Sequence, residues 1–322
     1  MENAQCHSTP YTTTGEIRHL DRLELYETEK PYEVTFDPIH VAQPDARRTN
    51  LSKHPWPVEI RDFSSDRTTF NTDVQGFELE RFPTTLSAEE LQDVVTVEAR
   101  YYGEAEAFLK LKFGAKKVFI FDTTIRESRV ASRDTMAVLR NTQKMRPASD
   151  CHVDQSPGSV RRRVLHNFPN EGESLLKDHR VRVINIWRPL VWPYHSNPLA
   201  VCDWRSTTPA DYTLADHFTP VWEGESLQVY HSPQHRWWFA KQMNPDDVLL
   251  LKMYDSEAER LGSGIAMCES WIICNLERCT VSSTDASDAG YLGTPHCSFE
   301  WKGANVELSP RVSMEIRAIV FS

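Results

Sequence analysis

"SDCHVDQSPGS" (residues 149–159) decides how the rest of the chain is read, because it sets His152 and Asp154 two residues apart. On a β-strand, side chains at i and i+2 share a face, so both would project into one interior while Val153 points away. A helix would not hold them together in this way. Chance alone supplies about 0.7 His-x-Asp spacings in a chain of this composition, so the motif needs company before it means a metal. A second copy exists. His19 and Asp21 in "IRHLDRLELYE" lie among alternating charges near the start, and this pair reads as part of a solvated surface strand.

The surroundings of residues 149–159 are β-rich. Short runs dense in β-formers recur at 117–126, 181–187, 199–204, 226–232, 236–243, 247–256 and 313–322, with no long helices between them. That texture predicts an antiparallel sandwich or barrel. Upstream, "SAEELQDVVTVEARYYGEAEAFLKLKFGA" opens on a capping box of Ser87 and Glu90 and closes at Gly114. It predicts two helices, or one bent helix, over 88–112, packed outside the β core. Residues 1–57 are polar and dotted with proline, and "HPWP" (54–57) reads as a rigid extended connector. The expected organisation is an N-terminal arm over 1–57 and a single domain over 58–322, whose first strand is "VEIRDF" (58–63).

Composition removes several classes of function. The chain has 322 residues and a formal net charge of −10, and its densest basic run is the RRR at 161–163, which disfavours a nucleic-acid partner. Neither a leader-like start nor an apolar run of membrane-spanning length is visible, so a cytoplasmic protein with no membrane partner is expected. Seven cysteines without a CxxC pair fit reduced thiols better than a disulfide framework. The spacing of Cys268, Cys274 and Cys279 does not match a structural zinc site.

Company for His152 and Asp154 comes from the C-terminus. In "GTPHCSFEWKGANVELSPRVSMEIRAIVF", Arg311 follows His296 by fifteen residues, a spacing that suits a strand, a turn and an antiparallel return. On the return strand Arg311, Ser313, Glu315 and Arg317 share one face, unusually polar for a terminal core strand. Two imidazoles and one carboxylate make the facial set that holds Fe(II) with open positions. A guanidinium with a hydroxyl two residues on can take a carboxylate such as that of 2-oxoglutarate.

At this point the chain resembles a known family, the fungal non-haem Fe(II)/2-oxoglutarate-dependent oxygenases that include gibberellin desaturase and the meroterpenoid endoperoxide-forming enzyme. The resemblance runs from about residue 58 to 322 through ordered blocks: "TFNTDVQGFELERF" (69–82), "GAKKVFIFDTTIR" (114–126), "CHVDQSP" (151–157), "INIWRPL" (184–190), "PLAVCDWRS" (198–206), "VLLLKMYDS" (248–256), "TPHCSF" (294–299) and "PRVSMEIRAIVF" (310–321). It implies a mainly β fold, a double-stranded β-helix of jelly-roll or cupin type with flanking helices. It also implies Fe(II) on His152, Asp154 and His296, and 2-oxoglutarate on Arg311 and Ser313. With O2 as oxidant, such an enzyme hydroxylates, desaturates, rearranges or endoperoxidises a largely apolar small molecule of secondary metabolism. A homodimer follows only at family level.

Several readings stay open. Arg126 and Arg188 fall in matching blocks and are either substrate contacts or structural arginines. His231 and His235 read as exposed hairpin residues, while Trp187, Trp237 and Trp238 read as core or barrel wall. Residues 257–293 exceed the connection expected in the family and are either a lid or an insertion without a catalytic part, which bears on whether His296 reaches the other ligands. The competing functions are a non-catalytic partner subunit of a heterodimeric oxygenase, and a metal-binding jelly roll that does not use 2-oxoglutarate.

Overall fold

The computed structural model describes residues 10–34, 47–129, 144–193, 196–219, 222–257, 293–302 and 308–322. Strands in chain order are β1 (Thr12–Leu20), β2 (Tyr32–Val34), β3 (Lys53–Asp62), β4 (Phe77–Arg81), β5 (Lys117–Glu127), β6 (His152–Val153), β7 (Val181–Pro189), β8 (Leu199–Cys202), β9 (Tyr212–Phe218), β10 (Glu223–Val229), β11 (Trp237–Phe239), β12 (Asp247–Asp255), β13 (His296–Ser298) and β14 (Val312–Phe321). They form a nine-stranded sheet, β1-β3-β11-β8-β13-β6-β10-β9-β2, and a five-stranded sheet, β4-β12-β7-β14-β5. Bridges from Arg18 to Asp150 and from Leu20 to Tyr230 bring β1 round to β6 and the end of β10, so the larger sheet curls on itself.

Period-two alternation on β14 assigns the layers. Met314, Ile316, Ala318 and Val320 pack with Ile184 and Ile186 of β7, Val248 and Leu250 of β12, and the helical residues Val97, Tyr101, Ala105 and Leu109. Each such burial contributes about 1.5–3 kcal/mol for a large aliphatic side chain, which fixes the helical layer on the outer face of the five-stranded sheet. Ser313, Glu315 and Arg317 therefore face the other way, toward the larger sheet.

The helical segment matches its signals. Ser87 and Glu90 exchange capping bonds, with Glu90 Oε2 accepting from the Ser87 N–H at 2.8 Å and Ser87 Oγ accepting from the Glu90 N–H at 3.2 Å. The last helix of the segment, Tyr102–Phe113, ends at Gly114, whose φ of 59° is a left-handed conformation that glycine adopts at low cost.

Three expectations are corrected. "HPWP" is not a connector but part of β3, where Pro55 lies opposite Arg18 and Pro57 opposite Glu16. β11 pairs with β3 only over Ile60–Asp62, so the missing proline N–H groups fall on an edge that has no ladder to lose. His19 is not a solvated residue: it is completely buried on β1, with Glu16 and Arg18 on the exposed face. The His235 side chain is likewise buried, at 1% exposure, rather than an exposed hairpin residue. Among strand limits, the expected run 236–243 shrinks to Trp237–Phe239, because Asp62 then takes the Lys241 N–H and bends the chain away.

Cys151, Cys202 and Cys297 are buried free thiols, as expected of a reduced chain. Cys268, Cys274 and Cys279, read as not forming a zinc site, lie outside the described residues, as do residues 258–292 of the long segment as a whole.

Candidate metal centre

β6 is two residues long, and its position between β13 and β10 is what makes it useful. His152 stands directly opposite His296 across the β6–β13 pair, so both imidazoles leave the sheet on one face with ring centroids 4.6 Å apart. Asp154 follows two residues later with the same parity. Ser156 then caps a helix, Pro157–Asn167, and turns the chain away. Ligand atoms of His152, Asp154 and His296 all lie within 4.8 Å of one another. Asp154 Oδ1 is the central atom, 3.2 Å from His152 Nε2 and 3.9 Å from His296 Nε2.

The long segment before His296 does not pull the third residue away. Thr294 donates its N–H to the Lys252 carbonyl (2.9 Å) and its hydroxyl to the Gly76 carbonyl (2.7 Å). Gly293 is pressed so close that a Cβ there would come within 2.4 Å of Val153 Cγ1 and 2.5 Å of the Met253 carbonyl oxygen. The chain is therefore back in register before β13 begins.

Hydrogen bonds fix the tautomers. His152 Nδ1 lies 2.7 Å from the Asp150 carbonyl oxygen, and His296 Nδ1 lies 3.1 Å from that of Thr294. A carbonyl can only accept, so Nδ1 carries a proton in both rings and each Nε2 is the ring atom left to face Asp154 and a metal. Asp150 is itself held by Arg18 at 2.9 Å and Lys53 at 3.0 Å, which ties the orientation of His152 to β1 and β3. Burial, and then His152, hold His296 down to about 4, so it is neutral near pH 7. Burial opposes ionisation of Asp154, but Arg317 together with His152 and His296 outweighs it and keeps the carboxyl well below its usual range.

Two imidazole Nε2 atoms and a carboxylate oxygen therefore converge on one point. A divalent cation there would take all three as ligands, displacing any proton shared between them. The donor set of two neutral nitrogens and one oxygen suits Fe(II) among the transition metals.

Beyond these ligands lies a cationic site. Arg311 is buried; its Nε donates to Ser313 Oγ at 3.0 Å and its Nη1 to the Asn197 carbonyl at 3.0 Å, while the guanidinium lies 5.3 Å from the Trp187 ring centroid. Burial and neighbouring Arg126 lower Arg311 to about 9, so it is charged at neutral pH and would be stabilised by an anion. Arg126 stands opposite Ser313 across β5–β14 and donates to the Arg146 carbonyl at 2.8 Å. Arg311, Ser313 and Arg126 are thus brought together.

Arg188 is not with them. It has the opposite parity on β7, is completely buried, and donates to the Tyr101 hydroxyl (3.2 Å) and to the carbonyls of Pro245 (2.7 Å) and Phe82. These bonds fasten the helical layer to the sheet, so of the two candidate arginines Arg188 has the structural arrangement. Trp237 packs among His19 and His235, and Trp238 packs on Phe70; both are wall residues.

Sequence reasoning did not single out Asn185, Arg317 or Asp122 for any role. Asp154 Oδ2 accepts from Asn185 Nδ2 at 2.7 Å and from Arg317 Nε at 2.7 Å. Arg317 Nη1 also donates to Asp122 Oδ2 (2.5 Å) and Thr124 Oγ1 (2.9 Å), and Asn185 Nδ2 donates to Glu315 Oε1 (2.6 Å). The signal available was the polar face of "RVSMEIR", which predicted where Arg317 points but not what it holds.

Comparison with known proteins agrees with this geometry. The family model described as "Oxidoreductase/YMDC permease-like domain" matches residues 22–268, more than half of the chain. The hydroxylase/desaturase efuI of Hormonema carpetanum is 31% identical over 229 residues, covering 66% of this chain and 75% of the relative. The Fe(II)/2-oxoglutarate-dependent dioxygenase nvfI of Aspergillus novofumigatus is 24% identical over 293 residues, covering 87% and 88%. Among solved structures, the iron and alpha-ketoglutarate-dependent endoperoxidase NvfI superposes with a TM-score of 0.74 at 21% identity, over 97% of this chain and 98% of that one. The predicted jelly-roll fold is therefore the observed one.

Proposed function

The chain belongs to the family described as "Oxidoreductase/YMDC permease-like domain", alongside fungal hydroxylase/desaturases, and we propose that it is an oxygenase holding Fe(II) on His152, Asp154 and His296. Its relatives include Fe(II)- and alpha-ketoglutarate-dependent dioxygenases, so Fe(II), 2-oxoglutarate and O2 are its cofactor, cosubstrate and oxidant. The observation that carries the residue assignment is the convergence of two Nε2 atoms and Asp154 Oδ1 within 4.8 Å, with both Nδ1–H groups tied to carbonyls.

Bound iron with 2-oxoglutarate supplies O2 activation coupled to decarboxylation, which delivers succinate, CO2 and an oxidant able to remove hydrogen from an unactivated carbon. The protein residues do the rest. Arg311 and Ser313 bind the far carboxylate of 2-oxoglutarate through charge-assisted hydrogen bonds worth roughly 1.5–3 kcal/mol each. Trp187, beneath the guanidinium, keeps water from that ion pair. Arg126, on the same face, contacts substrate or the cosubstrate's carboxylate. The substrate is a small, largely apolar natural product of secondary metabolism, and its pose selects hydroxylation, desaturation, rearrangement or endoperoxidation.

Residues 58–322 act as the oxygenase domain, with 1–57 an extension that adds strands to its larger sheet. No helix among the described residues is long and apolar enough to cross a membrane, and we place the enzyme in the cytoplasm, working as a homodimer. A non-catalytic subunit would not need five polar residues kept in working geometry. The test is succinate release from 2-oxoglutarate in air: Fe(II)-dependent release that His296→Ala abolishes is expected, and no release under any Fe(II) loading overturns the proposal.

A further inference from the structure

Asp154 has two oxygens, and the protein treats them differently. Oδ1 faces the imidazoles, 3.2 Å from His152 Nε2 and 3.9 Å from His296 Nε2. Oδ2 is turned toward the five-stranded sheet and occupied by Asn185 Nδ2 and Arg317 Nε, both at 2.7 Å. We propose that Arg317 and Asn185 are positioning residues that confine Asp154 to one-oxygen coordination and so keep three metal positions open for 2-oxoglutarate and O2. The inference rests on the metal-site reading above and adds what decides the number of free positions.

The clamp is rigid for identifiable reasons. Asn185 is completely buried on β7 and Arg317 is nearly so on β14, and the two stand opposite each other in register. Arg317 is anchored at its far end by Asp122 (2.5 Å) and Thr124 (2.9 Å), so its Nε cannot follow Asp154 if the carboxylate rotates. Asn185 spans two carboxylates, Asp154 at 2.7 Å and Glu315 at 2.6 Å. That fixes its amide orientation, because the flipped form would set Oδ1 against both anions. To bind through both oxygens, Asp154 would have to give up two buried N–H groups, one of them on a charged side chain, and leave those two hydrogens unpaired.

The same network separates Glu315 from the metal. This carboxylate lies on the face of Ser313 and Arg317, and Asn185 Nδ2 and Arg317 Nη2 (3.4 Å) hold its two oxygens apart from the ligand cluster. Loss of the clamp would thus free two carboxylate oxygens to compete for the positions the cosubstrate needs.

The experiment is an anaerobic Co(II) titration of the full chain, read by visible d–d absorption, for wild type, Arg317→Lys, Asn185→Ala and Asp154→Ala, with thermal melts on each. Disturbing partners of a metal ligand typically costs 10–100-fold in affinity. We expect that loss in Arg317→Lys and Asn185→Ala, with an altered Co(II) spectrum and a larger loss of 2-oxoglutarate affinity in the loaded protein. Folded variants whose Co(II) affinity and spectrum match wild type, with Asp154→Ala unable to bind, would overturn the clamp and leave the metal site standing. Retention of wild-type affinity by Asp154→Ala would instead overturn the metal-site reading, and the clamp with it. Arg317→Lys, which keeps the charge, guards against a variant that merely unfolds.

Discussion

The chain contains the same spacing twice, and the two copies do opposite things. His152 and Asp154 project into one interior and meet His296 there. His19 and Asp21 take separate partners, and among the described residues no third ligand completes a metal-binding group with them. Asp21 is taken by His54 (2.7 Å) and the Ser52 hydroxyl (2.6 Å), while His19 is buried beside His231 and His235, ring centroids 5.4 and 5.8 Å away. Even with three imidazoles near one another, the only group among the described residues whose ligand atoms all approach within 4.8 Å is the one built on His152. Spacing proposes a site, but the strand that carries it and the imidazole opposite decide.

The sharpest way to break that contrast is to remove one carboxylate from each copy. Asp154→Ala should lower Fe(II) affinity and turnover by at least about 100-fold, whereas Asp21→Ala should leave both within about twofold. A second contrast separates two arginines. Arg311→Gln should weaken 2-oxoglutarate binding roughly 10- to 100-fold while Fe(II) binding persists. Arg188→Met should leave 2-oxoglutarate affinity unchanged but cost about 3 kcal/mol of stability in urea unfolding, since it strands the carbonyls of Pro245 and Phe82.

Smaller effects belong to the first copy. His19→Ala should leave Fe(II) binding untouched and lower stability by about 2 kcal/mol, the typical cost of emptying a buried site. Burial, then His235 and His231, depress His19 from 6.5 to about 3. The unfolded chain therefore takes up this proton at a pH where the folded one does not. Stability from this group is complete above about 6.5 and is lost as pH falls toward 3, at no more than about 1.4 kcal/mol per pH unit. Asp255, depressed to about 2, gives up its share only below 3.8, and so leaves the range from pH 7 to 4.5 unaffected. Urea midpoints between pH 7 and 4.5 should fall in the wild type and fall less steeply in His19→Leu, the remaining slope belonging to His296, His235 and His231.

Period two made much of this legible. It puts His152 and Asp154 on one face, where the structure brings His296 opposite His152, and it turns Ser313 of β14, with Arg311 just before the strand, toward the same interior. The same rule could have corrected His19, because Ile17 and His19 share a parity that alternates with the exposed Glu16 and Arg18. Alternating charges drew attention to the wrong face. Proline in "HPWP" misled for another reason: its cost depends on whether a neighbour pairs on that side, which is a property of the assembled sheet. Asn185 sits between Ile184 and Ile186 in an otherwise apolar run, and its partners, Asp154 and Glu315, are 31 and 130 residues away in sequence. Such long-range bonds leave no local pattern to read.

The central claim is that the second copy, and not the first, binds iron in a form that accepts 2-oxoglutarate. Anaerobic titration with Fe(II) and 2-oxoglutarate tests it through the visible charge-transfer band of the chelate. The band should appear in wild type and in His19→Ala and vanish in His152→Ala. Its absence from wild type, or its survival in His152→Ala, would contradict the account.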